Sequence, residues 1–357
     1  MLAGGEQHAL FVDETGCSWS CGLNDYGQLG LGNYNNFATP QKITSLSCIK
    51  QVSAASHSSL FLDDNGIVWA CGLNLNLQLG LPETEDIICP ERIYNLPVIR
   101  SVSSWSGHSL FLDEEGTVWA CGSNASGQLG LGDKIDRISP IKVENLPEIQ
   151  AIAAGSFHSV FLDFDGGVWI SGPSEFPTKI NIEPIKYIAA GESAAMFIDT
   201  SGAVWDCGNN RQQIDWEANL IKFAGEIVFE SVSLGVTFAL LLDESGVVWS
   251  FGSNSSGQLG LGDCGIRYRP QPIKSLPKIV FLSAGYYFSH FIDEFGVTWA
   301  CGSNEVGQLG VGNKLDRISP TKVEGLPRAL LPHNQIKKRD VKSARNIARI
   351  GTEENKI

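Results

Sequence analysis

Residues that could carry chemistry are scattered along this 357-residue chain. Six histidines and nine cysteines occur, but no Glu-His, Cys-His or Ser-His-Asp set has a supportive spacing, and there is no Cys-x-x-Cys pair. A recurring Gly-Gln-Leu-Gly-Leu-Gly segment lacks the Lys-Ser/Thr of a phosphate-binding loop, so it predicts a corner between strands. The sequence therefore predicts no bond-making active site, no metal site and no cofactor.

The cysteines indicate a compartment rather than a site. Five of them precede a glycine at one shared position of a repeated pattern: Cys21, Cys71, Cys121, Cys207 and Cys301. Equivalent positions of different repeats lie far apart, which favours free thiols in a reducing compartment, the cytoplasm or nucleus, or a host cytosol for a bacterial effector. No stretch approaches the ~20 apolar residues of a membrane span. The first residues lack a signal-peptide pattern, so we expect a soluble chain that is not exported by a cleaved signal.

One sequence pattern occurs seven times along the chain and sets the positions of the other residues. An Asp is followed three residues later by Gly, and three residues after that by a Trp: Trp19, Trp69, Trp119, Trp169, Trp205, Trp249 and Trp299. The Trp-to-Trp steps are 50, 50, 50, 36, 44 and 50 residues, and a period of this size is typical of repeat architectures. We expect each Trp to pack between neighbouring repeats as a structural residue.

Each repeat predicts four antiparallel strands, with glycine at the tight turns. The 32 residues from Trp299 to Leu331 and the 19 from Met1 to Trp19 together make one further repeat. The chain therefore predicts an all-β ring over residues 1–331, opened in the middle of one strand and closed by pairing of its N- and C-terminal strand segments. Closure removes exposed sheet edges, which favours a seven-bladed β-propeller of four-stranded blades.

The repeat also resembles that of a known family. It reads Ala-Ala-Gly-x-x-His-Ser-x-Phe-Leu-Asp, then Gly-x-Val-Trp-Ala-Cys-Gly-x-Asn-x-x-Gly-Gln-Leu-Gly-Leu-Gly-Asp, which resembles the repeat of the regulator of chromosome condensation family. The repeats of Trp119, Trp249 and Trp299 match fully, whereas those of Trp169 and Trp205 lack the Gly-Gln-Leu-Gly loop. The resemblance implies a seven-bladed propeller that binds other proteins. The family includes the exchange factor for the small GTPase Ran, ubiquitin ligases, and bacterial inhibitors and effectors.

Function is expected where the repeats differ, in the turns before each second strand. The resemblance implies that such turns face the GTPase in the family's exchange factor. Aromatic residues with a few charges are typical of interface hot spots. The predicted partner-binding residues are Glu6, Gln7, His57, Trp105, Phe157, Glu192, Tyr286 and Tyr287. Random drift of these turns is the alternative, and His8, His108 and His158 are expected to be hydrogen-bonded within their blades.

The predicted function is non-catalytic protein binding, with regulation of a small GTPase as its most concrete form. No repeat exceeds about 51 residues, so the inserted β-wedge of the family's exchange factor is not evident. Exchange activity on a Ran- or Rab-like target stays open, and it would arise from tighter binding of the nucleotide-free form. The alternatives are a general recognition scaffold and an effector or inhibitor module that uses the same rim.

Charge divides the chain into two parts. The net charge is −13, but residues 333–357 hold seven Lys/Arg against three Asp/Glu, which leaves the ring strongly acidic. Nucleic acid is therefore an unlikely partner for the ring. Residues 332–357 are predicted to form a basic C-terminal tail, helical or disordered, suited to an acidic partner, a nuclear importer, an anionic membrane surface or the ring itself. We expect a monomer.

Overall fold

The computed structural model describes residues 1–172, 174, 176–207, 221–223 and 227–331. Within them, all regular structure is β, in seven four-stranded antiparallel sheets whose strands follow chain order. The strands of blades 1 to 4 are Leu2–Gly4 (β1), His8–Val12 (β2), Ser18–Gly22 (β3), Phe37–Lys42 (β4), Ile49–Ala54 (β5), Ser58–Asp63 (β6), Val68–Gly72 (β7), Ile87–Arg92 (β8), Ile99–Ser104 (β9), His108–Asp113 (β10), Val118–Gly122 (β11), Arg137–Lys142 (β12), Ile149–Ala154 (β13), Ser159–Asp163 (β14), Val168–Ser171 (β15) and Thr178–Lys179 (β16). Those of blades 5 to 7 are Ile185–Ala190 (β17), Ala195–Asp199 (β18), Val204–Asp206 (β19), Ile221–Phe223 (β20), Phe229–Leu234 (β21), Phe238–Asp243 (β22), Val248–Gly252 (β23), Arg267–Pro272 (β24), Ile279–Ala284 (β25), Phe288–Asp293 (β26), Thr298–Gly302 (β27) and Arg317–Lys322 (β28).

The predicted seven-bladed propeller is thus confirmed. The shortest fourth strands, β16 and β20, belong to the two repeats that lack the Gly-Gln-Leu-Gly loop. Among the described residues, no helix is long and apolar enough to cross a membrane. The tail predicted for residues 332–357 lies outside the described residues.

The ring closes through the first strand of blade 1, as the sequence predicts. Leu2 pairs with Phe11 in β1–β2, and Ala329 pairs with Asp13 at the position that Ile49 takes opposite Asp63 in blade 2. The Leu330 N–H donates to the Val12 carbonyl at 2.9 Å. Both ends of the chain therefore share one strand, which covers the inner edge of β2 from Gly4 to Ala329.

The seven motif tryptophans lie between blades. Each is half-buried and packs against an apolar cluster that includes residues of the preceding blade. Trp299 of blade 7, for example, packs with Phe238 and Leu240 of blade 6. Trp19 packs with Phe288 of blade 7, so the closing seam is built like the others.

Two faces result from this topology. Connections from first to second and from third to fourth strands end on one face, which we call the rim face. The turns between second and third strands end on the opposite face, which we call the hairpin face. Glycine is required where the third strand ends beside the first-to-second-strand turn. A Cβ on Gly72 (φ +104°) would lie 2.3 Å from the His57 carbonyl oxygen in that turn.

Candidate protein-binding face

Backbone hydrogen bonds tie the first-to-second-strand turns of neighbouring blades into a frame around the central channel. Each bond runs from the turn of one blade to that of the next in the ring. The five bonds are Glu6 N–H to the Ala55 carbonyl (3.3 Å), Ser56 to Trp105 (2.7 Å), Ser156 to Gly191 (3.2 Å), Val236 to Tyr286 (3.3 Å) and Tyr286 to Gly5 (3.1 Å). The variable side chains are therefore carried on a fixed backbone.

Trp105 and Tyr286 stack across the channel mouth. Their ring centroids are 5.3 Å apart with an interplanar angle of 20°, although they come from the non-adjacent blades 3 and 7. The Tyr286 hydroxyl also hydrogen-bonds the Ser56 Oγ of blade 2. Burial raises the pKa of Tyr286 to about 12, with the nearby charges of Glu6 and Glu192 adding to this.

Trp105 is predicted to bind a partner, but only 7% of this residue is accessible. Tyr286 is also largely covered. These two aromatic residues cover each other, so little of their surface is accessible to a partner.

Serine hydroxyls hold the channel wall together. A cavity of about 230 Å³ lies inside the ring, lined by the first strands of all seven blades. Four serine Oγ atoms each accept a backbone N–H of the next blade: Ser53 from Ser104 (2.9 Å), Ser103 from Ala154 (3.0 Å), Ser233 from Ala284 (2.9 Å) and Ser283 from Gly4 (3.1 Å). The polar wall thus forms part of the scaffold.

Other predicted rim residues remain accessible. Phe157 is 54% exposed on blade 4, and Tyr287 is 44% exposed on blade 7. His57 Nε2 lies 3.6 Å from Glu6 Oε2, and its ring lies 4.9 Å from that of Tyr26. These contacts place two exposed aromatic side chains and an acid–histidine pair on the same face.

Glu192 and Gln7 complete the predicted set. Glu192 is half-buried on blade 5 and close enough to Tyr286 for its charge to raise the tyrosine pKa. Gln7 is half-buried on blade 1, where its carbonyl accepts the Leu23 N–H at 2.8 Å. The structure therefore brings Glu6, Glu192 and Tyr287 near Tyr286 and gives Gln7 a backbone role in its turn.

His8 and His108 bridge blades, which corrects the expectation that they bond within their own blades. His8 Nε2 lies 3.0 Å from Ser59 Oγ of blade 2, and His108 Nε2 lies 2.8 Å from Ser159 Oγ of blade 4. Burial lowers the pKa of both to about 3. They are neutral near pH 7 and fully enclosed, which favours a structural role over acid–base catalysis. No group of three or more metal-ligating side chains is found among the described residues.

The motif aspartates have a role that the sequence analysis missed. Asp13 Oδ1 accepts the backbone N–H groups of Thr15 and Cys17, and its Oδ2 accepts the Trp19 indole N–H at 2.8 Å. All seven Asp–Trp pairs repeat this bond at 2.8–3.4 Å. Burial alone would raise the pKa of Asp13, but these hydrogen bonds outweigh it and lower the pKa. The fixed spacing of six residues is the signal that could have revealed the pair.

Fold and rim define a closed seven-bladed propeller that carries a varied set of side chains on a repeated frame. The regulator of chromosome condensation (RCC1) repeat models match residues 15–62, 99–128, 115–162, 229–258, 245–292 and 296–336, which is more than half of the chain. The chain therefore belongs to the RCC1 repeat family.

Solved structures share this fold. Prp20p from Saccharomyces cerevisiae, studied for its binding to Gsp1p and histones, superposes with a TM-score of 0.77 at 19% identity over 95% of both chains. Yeast Prp20 bound to Kap60 gives 0.77 at 18% identity over 93% of this chain and 92% of that one. Human WBSCR16 gives 0.72 at 22% identity over 80% and 84%. A search of curated proteins found no match. At these identities the likeness concerns the fold alone.

Proposed function

We propose that this protein binds a small GTPase of the Ran or Rab type through its rim face and regulates it without covalent chemistry. Membership of the RCC1 repeat family supports this proposal, as does the fold shared with Prp20p, a protein studied for its binding to Gsp1p. The nine free cysteines support action in a reducing compartment, the cytoplasm or nucleus.

The observation that carries the proposal is the composition of the accessible rim. Phe157 and Tyr287 are exposed on a face whose turns are fixed by interblade hydrogen bonds. Rigid aromatic side chains lose little conformational entropy on binding, and such residues dominate interface energetics. Glu6 and Glu192 add negative charge beside them, which suits a partner surface that carries Lys or Arg.

The mode of action is differential binding. In the described part of the chain, the longest connections on the rim face are the third-to-fourth-strand loops, such as Leu23 to Asn36 in blade 1. No wedge-like insertion is seen there. If the protein accelerates nucleotide release, it does so by binding the nucleotide-free GTPase more tightly than the loaded form.

The test has two readouts. The protein is mixed with Ran and a panel of Rab proteins that carry a fluorescent nucleotide, and nucleotide release is followed. In parallel, capture of each GTPase is compared with and without EDTA, which removes Mg²⁺ and empties the nucleotide site. Faster release or EDTA-dependent capture is expected for at least one target. The GTPase proposal fails if neither occurs.

A matched pair of variants locates the site. Phe157→Ala combined with Tyr287→Ala should weaken capture by on the order of tenfold or more, because each removes an exposed aromatic anchor. Phe295→Ala is the control, since Phe295 is 58% exposed but lies on the hairpin face. Its capture should match that of the unmodified protein. If both variants lose capture of the GTPase equally, the binding surface is not the rim face. Capture of a partner other than a GTPase would favour a recognition scaffold.

A further inference from the structure

The rim-face loop of blade 2 departs from the repeat at a position that elsewhere holds glycine. In blades 1, 2, 3, 6 and 7 the third and fourth strands are joined by residues 23–36, 73–86, 123–136, 253–266 and 303–316. The fifth residue of four of these loops is a glycine with φ between +76° and +91°: Gly27, Gly127, Gly257 and Gly307. Blade 2 has Leu77 there, at φ +60°. A bulky residue rarely adopts this conformation.

The same position is crowded in the other blades. A Cβ on Gly27 would lie 2.7 Å from the Ile88 Cα of the next blade. A Cβ on Gly257 would lie 2.6 Å from the Ile318 Cα. Leu77 is nevertheless present at this position, and its side chain is partly exposed. Residues held in such unfavourable backbone conformations cluster at functional sites.

A second leucine of the loop is accessible to a partner. Leu75 is 72% exposed. In blade 1 the loop residue Tyr26 packs against the His57 ring of the next blade, with the ring centroids 4.9 Å apart. In blade 2 the corresponding neighbours are Asn76 and Gly107, since a Cβ on Gly107 would lie 3.2 Å from the Asn76 Nδ2. The turn of blade 3 therefore contributes no side chain at this position that could cover the loop.

The loop of blade 2 is also more acidic than its equivalents. It contains Glu83, Glu85 and Asp86 and no Lys or Arg, whereas in each of the other four loops the acids exceed the bases by one. In blade 3 an arginine at the start of the fourth strand neutralises a loop acid, because Arg137 lies 2.5 Å from Asp133. Blade 2 has no arginine at that position.

The acids of this loop are not compensated by an ion pair. The position of the blade 3 arginine is taken by Ile87. None of the ion pairs between residues that the structure describes involves Glu83, Glu85 or Asp86. Burial and the charge of Glu85 raise the pKa of Asp86. The loop therefore combines accessible leucines with negative charge that suits Lys or Arg on a partner.

We propose that Leu75 and Leu77 form a further contact point of the rim face, which receives an apolar side chain flanked by Lys or Arg on the bound GTPase. This inference rests on the proposed function and names the partner surface that would fit it. The leucines supply apolar area for contact. Glu83 and Glu85 attract the flanking basic residues during association.

The test measures association and dissociation rates of the full chain with a GTPase that it captures. Leu75→Ser combined with Leu77→Gly should weaken capture by on the order of tenfold, mainly through faster dissociation. Because glycine tolerates the positive φ, the melting temperature should stay close to that of the unmodified protein. Leu75→Ser alone changes only an exposed side chain and should weaken capture several-fold.

The charge is tested separately. Glu83→Gln with Glu85→Gln should slow association several-fold at low salt. The same variant should have little effect in 0.5 M NaCl, where the unmodified acids are already screened. An equal effect at both salt concentrations would contradict the role of these charges.

Leu315→Ser is the matched control, because Leu315 is 67% exposed in the equivalent loop of blade 7. It should keep full capture. The inference is overturned if the leucine variants bind like the unmodified protein, or if Leu315→Ser loses capture equally. If Phe157→Ala with Tyr287→Ala loses capture but the leucine variants do not, this inference fails and the proposed function stands. If the unmodified protein captures no GTPase, both fail.

Discussion

Lowering the pH from 7 to 5 should destabilise this propeller through its buried histidines. Burial lowers the pKa of His8 and His108 to about 3 and that of His158 and His290 to about 4. In the unfolded chain a histidine has a pKa near 6.5. Below that value the unfolded state binds protons that the folded state excludes, so stability falls as the pH falls.

The magnitude follows from the size of the shift. Between pH 6.5 and 5, each fully excluded proton costs about 2 kcal/mol of unfolding free energy. Four such histidines give an upper bound of about 8 kcal/mol, against the ~5–15 kcal/mol that is typical of folded domains. The Met1 α-amino group, whose pKa burial lowers to about 5, adds to the same trend. The motif aspartates whose pKa is lowered, such as Asp13, stabilise the folded protein while they are ionised. This contribution is lost only below about pH 4, outside the window considered.

His8→Phe isolates one contribution. Phe238 and Phe288 occupy the position of His8 in blades 6 and 7, so this fold already accommodates a phenyl side chain there. Ser59 loses His8 as a partner but keeps its donated hydrogen bond to the Gln28 carbonyl at 2.7 Å. The variant should therefore lose about 2 kcal/mol less than the unmodified protein between pH 7 and pH 5.

Urea unfolding at pH 7, 6 and 5 measures this difference, since the unfolding free energy at each pH gives the slope directly. Phe295→Ala is the control, because it changes an exposed side chain that does not titrate and should keep the full slope. The reasoning is refuted if His8→Phe shows the same pH slope as the unmodified protein, or if the unmodified protein has constant stability over this range.

Two further substitutions test the repeated hydrogen bonds. Trp119→Phe keeps an aromatic ring but removes the indole N–H that donates to Asp113 at 3.0 Å, and urea unfolding should show a loss of about 1–3 kcal/mol. Ser103→Ala removes the acceptor of the Ala154 N–H at 3.0 Å and should cost a similar amount. Ser255→Ala, at an exposed position, should stay within about 0.5 kcal/mol of the unmodified protein, and an equal loss there would contradict the role of the Ser103 bond.

Much of the fold was predictable because the same sequence pattern is repeated seven times. The 50-residue period gives the blades, and the complementary ends give the closure that Ala329 and Asp13 complete. The Asp–Trp bond was missed because strand patterns show which face a residue takes but not its hydrogen-bond partner. His8 and His108 were assigned to the wrong blade for the same reason, since they reach Ser59 and Ser159 of the neighbouring blades.

The rim was harder to predict because its contacts cross the ring. Tyr286 and Tyr287 are neighbours of the same type, yet one stacks on Trp105 and the other is 44% exposed. Nothing in the sequence of blade 7 distinguishes the two tyrosines, because the side chain that covers Tyr286 lies on a non-adjacent blade. A variable position in this fold therefore becomes a binding residue only if no side chain across the channel already covers it, and on that criterion Phe157 and Tyr287 are better candidates than Trp105.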